Sequence, residues 1–338
     1  MLNGIPRILI VRLSAIGDVV RVVPALQCLR EAFPDAQIDW VVEPKSFDVI
    51  SGHPALDNVI LFERSEHALA SARALWNTCE QVRKNRYEIV IDFHGIFKSG
   101  LITARSGAPD RYGFARPRSR EGNFLFTNHK ARLGPEVVNR LHENLALCNE
   151  LSPGTKSLDV TLHVPEEIQE DVEAFFEETF DGAKRIVAMH VPMDRDEKRW
   201  PIEYYAELAD ELLSDGRFEV VLTWGPGQLS EAQNVAKLCK RSPAIAPEMS
   251  SLKHYLWFIQ CAHLYVGGDT GPMHIASAMG TPAVIIFGGT NPEQHEPLRK
   301  PYRVLIADDV APKTSAPERL RSISPDRVYT ACVDLCAS

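Results

Sequence analysis

Hydrophobic positions along this chain follow two alternating rhythms. Short, nearly uninterrupted apolar runs alternate with longer stretches in which apolar residues recur every three or four positions. The first pattern belongs to strands buried on both faces and the second to amphipathic helices; together they predict βαβ units around parallel sheets. In the first half the pattern predicts strands over 7–13, 38–43, 58–62, 88–92 and 111–114. Helices are expected over 23–33, 66–86 and 98–106, then over 135–151 ahead of a strand over 158–162. The pattern then restarts. An acidic helix over 166–180, closed by Asp181-Gly182, leads to strands over 185–190, 218–223, 263–267 and 283–287. Helices over 202–213, 230–239 and 250–260 separate these strands, with Ser230 and Ser250 as expected N-caps. The expected organisation is a Rossmann-like domain over 1–165, a second over 184–311, and a proline-bearing tail over 312–338 that packs back on the first domain.

Composition changes this picture only by exclusion. A chain of 338 residues suits two α/β domains, and 45% hydrophobic with 24% charged residues is a globular balance. The net charge of -8 excludes a general attraction to nucleic acid or anionic lipid and leaves room only for local basic patches. Seven scattered cysteines, an odd number, point to reduced thiols in a cytosol, and Cys332 with Cys336 lacks the neighbours a zinc site needs. The apolar run before Arg12 is too short for a secretory signal, and nothing approaches the roughly 18 apolar residues of a membrane span. A soluble, cytoplasmic protein is expected.

Open α/β sheets bind ligands at the carboxyl ends of their strands, so chemistry is sought just after each predicted strand. Arg12-Leu13-Ser14-Ala15-Ile16-Gly17-Asp18 follows the first. Asp18 there is either a helix N-cap or a general base able to take a proton from an acceptor hydroxyl. The segment lacks G-x-G-x-x-G, which disfavours a nicotinamide dehydrogenase. Gly267-Gly268-Asp269-Thr270-Gly271-Pro272-Met273-His274 follows a later strand and opens a short helix that Gly280 closes. Its free N–H groups and dipole suit a phosphate, Gly271 allows close approach, and His274 can donate; Asp269 holds the loop or accepts from a sugar or ribose hydroxyl. In the 190–201 loop, Lys198 and Arg199 can neutralise a diphosphate leaving group. The same loop spells Asp194-Arg195-Asp196, a D-x-D string, but the cations beside it do a metal's work, so no metal and no cofactor are expected. Glu231, beyond Trp224-Gly225-Pro226-Gly227-Gln228, is a ribose ligand or a helix-start glutamate. In the first half Arg116, Arg118, Arg120, His129, Lys130 and Arg132 crowd one stretch whose sole acid is Glu121, with Phe124 and Phe126 interleaved. On an acidic protein that island suggests an anionic acceptor, with nucleic acid the lesser alternative. Asp92-Phe93-His94-Gly95 and Lys98 are expected in the same wall; His94 is equally readable as a structural histidine.

Taken together these motifs resemble the bacterial lipopolysaccharide heptosyltransferases, the ADP-heptose transferases of glycosyltransferase family nine. The resemblance runs through Ser14–Val19, Ile91–Gly95 with Lys98-Ser99, Lys198-Arg199-Trp200-Pro201 and Asp269–His274. It implies a GT-B fold, two Rossmann-like doubly wound domains facing across a cleft, and metal-independent transfer with inversion. On it, Asp18 is the catalytic base and Lys198 a phosphate ligand. Asp269, Thr270, Gly271 and His274 form the donor loop, Met249 stands by the adenine, and Arg120 lies on the acceptor side with Lys98. The partners implied are ADP-heptose and an anionic glycolipid, the lipopolysaccharide inner core, with no nucleic acid and a peripheral position at the inner membrane's cytoplasmic face. Pro192 and Met193 depart from the hydroxyl residues that some members carry there. The competing readings are a GT-B sugar-nucleotide epimerase and a non-catalytic nucleotide-sugar-binding protein.

Overall fold

The computed structural model describes residues 5–65, 67–154, 160–191, 199–288, 291–297, 299–307 and 316–337. They fall into two units, Met1–His163 and Val164–Ser338. The first is built on β1 (Arg7–Val11), β2 (Gln37–Val42), β3 (Asn58–Leu61), β4 (Ile89–Asp92), β5 (Asp110–Phe114) and β6 (His129–Ala131). All pairs are parallel, in the order β3-β2-β1-β4-β5-β6. Ile8, Leu9, Ile10 and Val11 are wholly buried, which is why this central strand reads as a continuous apolar run.

The second unit repeats the plan with β7 (Arg185–His190), β8 (Phe218–Thr223), β9 (Ala244–Ile245), β10 (Leu264–Gly268), β11 (Ala283–Phe287) and β12 (Tyr302–Ile306). Its parallel order is β12-β11-β10-β7-β8-β9. Counted from its own first strand, each sheet runs 3-2-1-4-5-6, the doubly wound order. The chain leaves the first strand toward one edge and returns to the fourth on the other side. Loops after those two strands therefore diverge, and the crevice for a ligand lies between them: after β1 and β4 in one unit, after β7 and β10 in the other.

Sequence periodicity located the long elements. It missed β6, β9 and β12 and the short helices Ile16–Val20 and Pro44–Ile50, which are edge strands or helices of no more than about two turns, too short to show a clear period. Of the strand expected over 158–162, residues 160–162 carry no regular structure. The helix expected from 135 begins at Arg140, because the Asn139 side chain accepts from the Leu141 N–H and caps it there. Ser250 and Ser230 are not N-caps; Ser251 and Gln228 hold those positions. Helix Pro325–Ala337 packs on helix Ile202–Asp215, β11 and β12, and sends Val328, Cys332 and Leu335 into the second unit's core. No helix among the described residues is long and apolar enough to cross a membrane.

One glycine shows how tightly the first unit is packed behind its crevice. A Cβ on Gly100, in helix Phe97–Arg105, would lie 2.3 Å from the Phe126 ring and 2.8 Å from the Asn123 amide. Alanine favours a helix by about 1 kcal/mol over glycine, but overpacking costs about 1–3 kcal/mol. Gly100→Ala is therefore expected to lower the denaturant midpoint; an unchanged or raised midpoint would show that the ring yields freely.

Candidate active site

In the first unit the β1 loop turns directly into helix Ile16–Val20, and Asp18 lies in its first turn. Ala15 is the N-cap, so the capping reading of Asp18 fails. Its carboxylate instead forms ion pairs with both Arg12 and Arg21. Both guanidinium groups are buried, while a third of the Asp18 side chain remains exposed. Arg12 also donates to the Phe93 carbonyl at 2.9 Å, fastening the β1 loop to the β4 loop across the crevice. Burial pulls the Arg12 pKa below its usual value, and Asp18 opposes that pull. The result is a carboxylate held between two guanidinium groups at the switch point, with part of its side chain still exposed. Sequence reasoning did not pair Arg12 or Arg21 with Asp18; Arg21, three residues along the same turn, was the findable partner.

The β4 loop is organised by Asp92. Wholly buried, it accepts from the His94 and Gly95 N–H groups at 2.9 and 3.0 Å and from the Asn123 amide at 2.6 Å. Gly95 has φ +77°, a left-handed backbone that a side chain would strain. Asp92 is thus a scaffold for the loop, not part of an acceptor wall. His94 is structural as well: Nδ1 accepts from the Leu13 N–H at 3.2 Å, again tying the two loops. Burial, reinforced by Arg12, drives its pKa down from 6.5 to about 3.

That shift makes a prediction. Between about pH 6.5 and 3 the unfolded chain takes up a proton that folded His94 refuses. Its contribution to stability is present in full above 6.5 and is lost as pH falls, by at most about 1.4 kcal/mol per unit. Denaturant melts at pH 7 and pH 5 should show a shallower loss in His94→Gln than in the parent chain. Equal losses would assign the acid sensitivity elsewhere.

The basic island is only partly available. Arg118 is paired with Glu143 at 2.6 Å, which also takes Arg140 at 2.8 Å, and lies over the Phe114 ring. His129 stacks on Tyr112 and meets Asp110 at 2.9 Å. The sequence window hid these acids because they come from β5 and helix Arg140–Leu151. Arg120 is exposed, its N–H donating to the Gly95 carbonyl at 2.8 Å, and Lys98 is half-buried on the first turn of its helix.

In the second unit helix Gly271–Met279 starts beyond β10, with Thr270 as N-cap, Pro272 in the first turn and Gly280 as left-handed C-cap. The Thr270 side chain makes no capping bond to the helix, whose first N–H groups present a phosphate-binding terminus. Asp269 and His274 are buried. His295, which sequence reasoning missed, joins them: one ligand-type atom from each lies within 4.8 Å of the others. No metal is expected from the sequence, and this trio is where one would be sought.

Arg199 and Glu231 meet at 3.1 Å, so the residues expected to hold diphosphate and ribose form an ion pair with each other. Met249 is half-buried between β9 and helix Leu252–Cys261. Lys198, Pro192, Met193 and the D-x-D string lie outside the described residues.

Two doubly wound sheets carrying these loops at their switch points define a GT-B glycosyltransferase. The chain belongs to glycosyltransferase family 9 (heptosyltransferase), whose sequence pattern matches residues 75–323. It is 30% identical over 302 residues, 85% of this chain and 79% of the other, to lipopolysaccharide heptosyltransferase 1 of Pseudomonas aeruginosa. Among solved structures it superposes on a family 9 glycosyl transferase of Veillonella parvula with TM-score 0.87, at 22% identity over 100% of this chain and 99% of that one, a likeness of fold. It also superposes on Escherichia coli heptosyltransferase WaaC with ADP-2-deoxy-2-fluoro heptose, with TM-score 0.71, at 25% identity over 97% and 99% of the two chains.

Proposed function

We propose that this enzyme transfers heptose from ADP-heptose to the inner core of lipopolysaccharide, either Kdo-lipid A or an already heptosylated form. The observation that carries the reading is the identity with a lipopolysaccharide heptosyltransferase 1 along 85% of the chain. Asp18 takes the proton of the acceptor hydroxyl as that oxygen attacks the anomeric carbon. ADP departs from the opposite face, so the configuration inverts. The N-terminus of helix Gly271–Met279, with Lys198 and Arg199, takes the charge that develops on the diphosphate, and no metal ion is required. Asp269, Thr270, Gly271, His274, Glu231 and Met249 hold the donor, while Lys98 and Arg120 face the anionic acceptor. The enzyme works as a peripheral protein at the cytoplasmic face of the inner membrane.

The test is a transfer assay with ADP-heptose and Kdo-lipid A, following ADP release and the mass of the product with and without chelator. Acceptor-dependent ADP release with a glycolipid heavier by one heptose is the expected result. ADP release without acceptor would indicate an epimerase-type reaction. Binding of ADP-heptose without turnover would indicate a non-catalytic binding protein.

A further inference from the structure

We propose that the first unit docks on an anionic lipid bilayer through the surface formed by Phe97, Leu125 and Arg116. This deepens the proposed activity, whose acceptor is itself a lipid, by naming the face that meets the membrane.

Phe97 opens helix Phe97–Arg105 and is 49% exposed; Leu125, ending the 3-10 turn Asn123–Leu125, is 74% exposed. The two elements pack together, and the Phe97 ring meets Phe126 edge-on at 5.7 Å. Arg116 is exposed with its guanidinium 4.1 Å over the Phe124 ring, and Arg120 is exposed on the same loop. The single acid between 115 and 132, Glu121, accepts the Phe97 N–H at 3.1 Å, which directs its carboxylate at a helix N-terminus and leaves the arginines in excess. What remains is an apolar tip beside two arginines, on a protein whose net charge is -8. Anionic headgroups repel most of such a protein and attract this face, which orients it; apolar side chains then enter the interface.

A single-stranded nucleic acid is the rival partner for arginines beside aromatics, but it needs ring faces on which bases stack. Here Arg116 covers Phe124, Phe97 engages Phe126, and the most exposed apolar group of the surface is an aliphatic leucine. Those features favour lipid.

The test is co-sedimentation of the full chain with vesicles of phosphatidylcholine alone or mixed with phosphatidylglycerol. The chain is expected to bind the mixed vesicles, less so in high salt, and to ignore the neutral ones. Leu125→Asp should weaken binding at least tenfold, and Arg116→Glu by more than about fivefold. Leu125 is exposed and lies outside the donor and acceptor residues, so Leu125→Asp should leave transfer to a soluble, deacylated acceptor at the parent rate. Absence of vesicle binding, binding indifferent to both substitutions, or saturable binding of an oligonucleotide in place of vesicles would overturn the proposal. Vesicle binding without any sugar transfer would leave the docking surface standing and defeat the activity; transfer without vesicle binding would do the reverse.

Discussion

Asp18→Asn should lower heptose transfer by about 10²–10⁴-fold, the range a positioned general base contributes, while leaving ADP affinity unchanged. The donor residues belong to the other unit, so a calorimetric titration with ADP should superpose on that of the parent chain. The substitution removes the anion between two buried guanidinium groups, and about 2 kcal/mol of stability should go with it. A melting curve must therefore accompany the kinetics. Loss of rate in a folded, ADP-binding variant supports the assignment. Near-normal turnover in that same folded variant would remove Asp18 from the chemistry and leave it as an arginine clamp.

Trp200→Ala should cost about 3–5 kcal/mol, the usual range for emptying a buried aromatic site. Trp200 stands in the cationic motif Lys198-Arg199-Trp200-Pro201, yet it is wholly buried, with Tyr205 edge-on at 4.9 Å and its Nε1 donating to the Ile323 carbonyl at 2.8 Å. It therefore pins the C-terminal segment to the second unit's core. Trp200→Phe keeps most of the volume and should lose about 1–2 kcal/mol, mainly through the unpaired carbonyl. Chemical denaturation of both variants measures the difference. Equal, small losses would mean that the C-terminal helix holds without this anchor.

Both cases show which features a sequence makes legible. Regular periodicity over long segments reveals strands and helices, and from their alternation the doubly wound class, because burying one face of a helix or both faces of a strand imposes a repeat on the chain itself. Residues at strand ends, such as Asp18 and the Asp269–His274 turn, could be picked out for the same reason. A parallel α/β sheet presents ligands to one edge only. The roles of those residues were less visible. Asp92, Arg118 and His129 looked like parts of a binding wall, and His94 was readable either as part of it or as a structural histidine. Each proved to have partners 10 or more residues away or buried backbone to satisfy. His295 carried no signal, since a lone histidine after a turn acquires meaning only beside Asp269 and His274.

The sequence by itself determined that the chain makes two α/β units with their polar loops on strand ends, and which family its motifs resemble. Those properties are written in local spacing. Only the tertiary structure decided that two buried arginines hold Asp18, that the tail completes the second core, and that Arg118 and His129 of the basic island have carboxylate partners. Each of those depends on a pairing between residues distant in the chain, and neither propensity nor periodicity encodes where a side chain's partner will come from.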